Sequence, residues 1–187
     1  VVCNWLLERL VRLARQLGPD LVWADGVMQR WLWNAEELDL DSFLANDDVR
    51  TGYHLQRWQE EGPPALASLC RRFRERDLLK ATAVTQLTRE EQLQALAVAG
   101  RLAEQRGIDP SLSCGLRHQE LRGYHPYRGG LRLWDGEQMQ ALEEASPLVA
   151  SLATPAATSW LIHPREIQKE LRRTMDVEWG SSLTSDR

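Results

Sequence analysis

Arg71–Ala81 reads "RRFRERDLLKA", six charged residues in its first seven and then an apolar run that begins at Leu78. Two readings compete. The stretch is either a basic patch for a phosphate-bearing partner or the exposed side of a helix passing into a buried strand. Upstream, Leu66, Leu69, Cys70 and Phe73 recur at i, i+3, i+4 and i+7, the spacing of one buried helical stripe. Arg71, Arg72 and Arg74 then fall mostly around the other side. Downstream, "LLKATAV" (Leu78–Val84) is short and partly β-branched, which predicts a strand. Glu75 and Asp77 interrupt the cations, and the whole chain carries a formal charge of −4. The helix running into a strand is therefore preferred over a general nucleic-acid surface, which needs a cationic excess.

Working outward from that junction, the amino-terminal side is helical. Leu6, Leu10, Leu13 and Leu17 recur at helical spacing, and "GPD" (Gly18–Asp20) closes that helix. Asp20 is expected to cap a second helix carrying Val22, Trp23, Val27, Trp31 and Leu32. Six carboxylates between Glu36 and Asp48 read as a linker, after which Asp47 or Asp48 caps a helix with Tyr53, Leu55 and Trp58. "EGPP" (Glu61–Pro64) stops it, and the Leu66–Phe73 helix follows.

On the carboxy-terminal side the elements mix. "TREE" (Thr88–Glu91) fits a capping box for a helix running through Leu93, Leu96, Ala97 and Gly100 towards Gly107. "LSCGL", with Leu112, Cys114 and Leu116 alternating inward, "GLRLWDG", ending in an Asp-Gly turn, and "TSWLI" each predict a strand. In "HPREIQKELRRTM", Pro164 suits the first helical position while Ile167, Leu171 and Met175 form the buried line. The tail "GSSLTSDR" is expected to be disordered. The fold class is thus α+β and predominantly helical. Residues 1–76 form a helical region, 77–179 a small α+β lobe with an antiparallel or mixed sheet, and 180–187 a tail.

Composition excludes several functions. With 187 residues, 43% of them hydrophobic, the chain supports one compact domain, or a domain with a lobe. The three cysteines, Cys3, Cys70 and Cys114, lie far apart with no C-x-x-C pair, as reduced cytoplasmic thiols do. No apolar run approaches the roughly 20 residues of a membrane span. Val1 opens the sequence, and Val1–Arg15 lacks a signal peptide's apolar core, so a piece of a longer protein is expected. His54, His118, His125 and His163 are scattered and are expected to be surface or hydrogen-bonded side chains, not ligands. Asp39 and Asp41 share one side of an extended segment, but Phe43 and Ala45 stand where a calcium loop needs oxygen ligands. Among the eight tryptophans, Trp5, Trp23, Trp31, Trp58 and Trp160 lie on apolar stripes and are expected in the core. No G-x-S-x-G, P-loop or G-x-G-x-x-G occurs.

Asp47, Asp48, Trp58, Leu66, Leu69, Arg72, Arg76, Leu78 and Lys80 together give a D-D pair opening a helix with a late Trp, then "L-x-x-L-x-x-R-x-x-x-R" and "R-x-L-x-K". This pattern resembles the region after the catalytic core in HD-domain phosphohydrolases of the dNTP triphosphohydrolase type. "LIHPREIQKELR" (Leu161–Arg172) resembles the closing strand and helix of bacterial members, and the Leu-rich run at Val1–Leu17 resembles the helix after their active-site helices. The family's metal set, His…His-Asp…Asp, lies upstream of this region, and no His-Asp dipeptide occurs here.

The resemblance therefore implies the C-terminal part of a cytoplasmic, metal-dependent nucleotide phosphohydrolase. Its divalent metal would be held outside this chain, and no cofactor or catalytic residue would lie within it. Residues 1–76 would be the remainder of an HD-type helical core, and the missing amino-terminal core and further copies of the chain would be its partners. The family's α+β lobe supports oligomer contacts and supplies cations to a regulatory nucleotide. The matching phosphate contacts are Lys80 and, in "YRGGLRL", Arg128 or Arg132. Without that meaning, Lys80 is a strand-edge charge facing water and Arg128 a turn residue. The alternative function is a non-catalytic protein-interaction or nucleotide-binding regulatory module on the same fold.

Overall fold

The structure, a computed structural model, describes residues 1–121, 130–134, 136–153 and 156–180. Arg128, His125, Gly129, Asp135 and the tail after Gly180 lie outside the described residues. The chain opens with α1 (Val2–Leu17), whose buried face is Trp5, Leu6, Leu10 and Ala14. Asp25 caps α2 (Gly26–Leu32), accepting from the Met28 N–H. Asp20 is exposed in the turn before it and caps nothing. The start is moved five residues on because Asp25 is also tied to α4 (Asp48–Glu61) through Arg50. The expected linker is partly helical. Asp39 caps the one-and-a-half-turn α3 (Leu40–Ala45), where the hydroxyl and amide of Ser42 hold its carboxyl below the usual range. Asp39 and Asp41 are therefore cap and first turn of a helix, not neighbours on an extended strand.

α4 is capped by Asp47 and ends at Gly62, where a Cβ would sit 2.5 Å from the Trp58 carbonyl oxygen. α5 (Pro64–Arg74) buries Leu66, Leu69 and Cys70 and packs against α1 and α4. Arg71 and Arg74 are exposed, as the stripe requires. The turn out of α5 places Arg76 at φ 55, the left-handed region that L-residues enter at a cost.

Lys80–Ala83 forms β1, as the apolar run after the charges predicts. The capping box at Thr88 and Glu91 opens α6 (Arg89–Gln105) with both reciprocal hydrogen bonds made. The face it buries is Gln92, Ala95, Ala99 and Ala103, while Leu93 is exposed. Small side chains let this helix approach the sheet closely. "LSCGL" begins as helix: Asp109 caps a single turn, α7 (Pro110–Ser113), so β2 starts only at Gly115 and runs to Leu121.

β3 (Arg132–Trp134) and β4 (Met139–Ala141) form a separate two-stranded antiparallel ladder, followed by the short helices α8 (Leu142–Ala145) and α9 (Pro147–Ala153). Sequence periodicity missed β4, α8 and α9, which are too short to show it. β5 (Ala156–His163) returns through the middle of the main sheet, in the order β1-β5-β2, antiparallel to both neighbours. Pro164 precedes a 3-10 turn over Arg165–Ile167 that feeds α10 (Gln168–Trp179). Ile167, Leu171 and Met175 are its buried line, as their spacing predicts.

Two hydrophobic clusters flank the main sheet. Ile162 joins Trp5, Leu6, Leu10, Trp58, Leu66 and Leu69, whereas Leu161 joins Ala95, Ala99, Ala103, Ile167, Leu171 and Met175. Alternation along β5 thus sends one residue into each cluster. Trp5 and Trp58 are core, and Trp31 and Trp160 pack against it from partial burial. Trp23 is not core: it is 39% exposed, stacked on His54 with the Arg57 guanidinium over its face. α1 seats Trp5, Leu6 and Leu10 in the core, while large apolar side chains elsewhere, among them Leu40, Phe43, Leu44, Val49, Leu133, Trp134, Met139 and Leu148, are exposed.

Candidate functional site

Each described histidine has its ring nitrogens committed. His54 is fully buried; Nδ1–H donates to the Arg50 carbonyl (2.8 Å) and Nε2 accepts from the Asp25 N–H (3.1 Å). With the Arg50–Asp25 ion pair, the Met28 cap and the Trp23 stack, this is a clasp between α2 and α4. His118 accepts at Nε2 from Arg89 (2.6 Å), leaving Nδ1–H to donate to Ser159 Oγ (2.8 Å). His163 ends β5, fully buried, with Nδ1–H donating to the Pro164 carbonyl (2.9 Å) and Nε2 accepting from the Thr82 hydroxyl (3.1 Å). Burial depresses its pKa, and the nearby positive charges of Arg172 and Lys80 add to the depression against the opposing Pro164 bond. It is held neutral.

Among the described residues, no three His, Cys, Asp or Glu side chains are placed to hold a metal ion. The cysteines are free; burial pushes the Cys70 thiol up to about 12 and raises Cys114 as well. Neither has the thiolate character a nucleophile needs.

Lys80, in register with His163 across the β1–β5 pair, opens onto a cleft of about 600 Å³. Arg106 from the end of α6, Arg165 from the 3-10 turn, and Lys169 and Arg173 from α10 share its wall. Glu166 and Glu170 also line it, but both are engaged. The Glu166 carboxylate is drawn to Arg72 (2.8 Å) and that of Glu170 to Arg106 (3.0 Å). Arg106 also donates to the Glu166 carbonyl, and Arg165 pairs with Asp77. Lys80, Lys169 and Arg173 have no carboxylate within ion-pair distance among the described residues. Arg72, expected on the wet side of α5, is instead largely buried between Asp77 and Glu166, pinning α5 to the turn before α10.

Of the three phosphate contacts implied by resemblance, the structure seats Lys80 in a cationic cleft. Arg132 stands exposed at the start of β3, on the other ladder, and does not line that cleft. Arg128 lies outside the described residues. Sequence reasoning missed Arg106, Lys169 and Arg173. On a helical wheel they read as ordinary solvated charges, and only the packing of α10 against α6 unites them.

Comparison with known proteins gives the fold a relative. No family model matches the chain. The uncharacterised protein YwfO of Bacillus subtilis is 26% identical over 172 residues, which cover 87% of this chain and 39% of that protein. Among solved structures, a phosphohydrolase from Bacteroides thetaiotaomicron superposes with a TM-score of 0.64 at 16% identity, over 87% of this chain and 45% of its own. A hypothetical protein from Aquifex aeolicus gives 0.50 at 19% identity, over 79% of this chain and 36% of its own. The chain thus spans less than half the length of these relatives, and its backbone shares the fold of the matching part of the Bacteroides structure.

Proposed function

We propose that this chain is the C-terminal supporting part of a metal-dependent HD-type nucleotide phosphohydrolase of the dNTP triphosphohydrolase kind. The carrying observation is the backbone likeness to a phosphohydrolase over 87% of this chain but only 45% of that protein. The "RERDLLK" junction and "LIHPREIQKELR" supply the finer family reading. On this reading a divalent metal would be held by residues in the other part of the parent protein and would supply Lewis-acid polarisation and an activated water there. The present residues give structural, oligomeric or regulatory support, 1–76 completing the helical core and 77–179 forming the appended lobe. The parent works in the cytoplasm as a homo-oligomer, with nucleotide as substrate or effector.

The test compares the longest natural gene product containing these residues with the 187-residue chain alone. Both are incubated with a dNTP panel and Mg2+ or Mn2+, and phosphate release is followed. The long protein is expected to hydrolyse at least one nucleotide in a chelator-sensitive way, and the short chain none. Hydrolysis by the short chain, or a long protein inert to every nucleotide, sinks the reading. The second outcome would favour the interaction module, for which Leu133, Trp134, Met139 and Leu148 are exposed apolar side chains.

A further inference from the structure

α3 is docked by its polar side. Ser42 is its one buried residue: the hydroxyl accepts from the Arg30 guanidinium, the carbonyl accepts from Trp31 Nε1–H (3.2 Å), and the amide donates to the Asp39 carboxylate (2.7 Å). Leu40, Phe43 and Leu44, at i, i+3 and i+4, share the other face and are 70%, 52% and 66% exposed. The Phe43 ring rests on Trp31 of α2, with centroids 5.2 Å apart. Single exposed leucines are ordinary on a protein surface, but a helix that buries its serine and turns three large apolar side chains outward is not. The chain around this face is acidic. Glu36, Glu37, Asp39, Asp41, Asp47 and Asp48 are all exposed, and no lysine or arginine occurs between Glu36 and Asp48. Glu36, Glu37, Asp41 and Asp48 have no cation within ion-pair distance among the described residues.

We propose that this face docks a cationic amphipathic segment of another protein, with apolar anchors at helical spacing on one side and lysine or arginine on its flanks. Burial of Leu40, Phe43 and Leu44 supplies the attraction, and the unpaired carboxylates select the partner's charge. The same carboxylates weigh against other occupants. Nucleic acid and anionic lipid surfaces are repelled. A second copy meeting this face about a two-fold axis would set the acidic surroundings of one copy against those of the other. Because Arg30 and Trp31 already fix α3, little ordering is left to do on this side of the contact. The inference stands on α3 and its surroundings and does not require the phosphohydrolase reading.

Fluorescence anisotropy with defined peptides tests it. The labelled probe, about 18 residues long, carries leucine on one helical face and lysine on the other. One control scrambles the same composition, and a second replaces lysine by glutamate. The 187-residue chain is expected to bind the probe at least roughly tenfold more tightly than either control, and more weakly as salt rises. Leu40→Ser with Leu44→Ser should weaken the probe by roughly tenfold or more, and Glu36→Gln with Glu37→Gln by roughly threefold or more with a shallower salt dependence. Leu93→Ser with Leu148→Ser, two exposed leucines elsewhere, should leave binding within about twofold. On the unaltered chain, amide hydrogen exchange should slow within residues 36–48 when the probe is bound. The longest natural gene product containing these residues should bind the probe as well. The proposal is overturned if the probe does not bind, if the scrambled peptide binds equally, or if both leucine variants lose affinity alike. It is equally overturned if protection falls only outside residues 36–48, or if the long protein does not bind because the face is already covered. Binding of the chain to anionic phospholipid vesicles through this face, or a dimer that Leu40→Ser with Leu44→Ser dissociates, would also overturn it. Hydrolysis enters none of these readouts, so an inert long protein would leave them standing, and a failed titration would leave the hydrolysis test standing.

Discussion

His163 has its charge state fixed by position. Sealed at the end of β5 between Thr82 and the Pro164 carbonyl, with Lys80 and Arg172 near, it resists protonation. A base with a depressed folded pKa takes up its proton more readily when unfolded, so the unfolded chain binds more protons below the ordinary value of 6.5. Stability is full above that pH and falls as pH drops from it towards the folded pKa. Urea midpoints between pH 7.5 and 5.0 should decline, and His163→Gln should flatten that decline. An unchanged slope in the variant would count against the assignment. Gly115 is a second decisive residue. A Cβ there would lie 2.7 Å from Trp5 Cζ2, in the seam between β2 and α1. Gly115→Ala should cost roughly 1–3 kcal/mol by urea denaturation, as overpacking does. A neutral result would mean that Trp5 is free to move aside.

Local chemistry writes some elements and not others. The Thr88–Glu91 box was legible because every partner lies within four residues, and Thr88→Ala should lower stability by about 1 kcal/mol in thermal melts. The Asp47 cap, the α5 stripe and the Ile167–Leu171–Met175 line were legible for the same reason. The start of α2 was not: two aspartates compete, and Asp25 wins through Arg50 and His54, more than twenty residues away. Large side chains also mislead. Leu93 suggests a face for α6, yet Ala95, Ala99 and Ala103 are what the sheet accepts, because a close approach needs small residues. As for the site, Lys80 was legible only through a family pattern, and the cleft around it only through tertiary packing.

At the scale of the molecule, β5 is a wall with a core on each side. Leu161→Ala and Ile162→Ala open cavities in different clusters, and each should cost about 2–5 kcal/mol. Because one strand carries both, either variant is expected to lower a single transition, with tryptophan fluorescence and far-UV circular dichroism coinciding. Two separated transitions would show that the clusters melt independently. No helix among the described residues is long and apolar enough to cross a membrane.

The central place of β5 also bears on how the protein is made. α1 to α5 leave the ribosome with one side of their apolar surface still uncovered, since Ile162 has yet to be translated. At roughly 5–20 residues per second, that gap lasts on the order of ten seconds. During synthesis the face of the helices that Ile162 covers therefore stays open until the last described strand slides into the gap between β1 and β2.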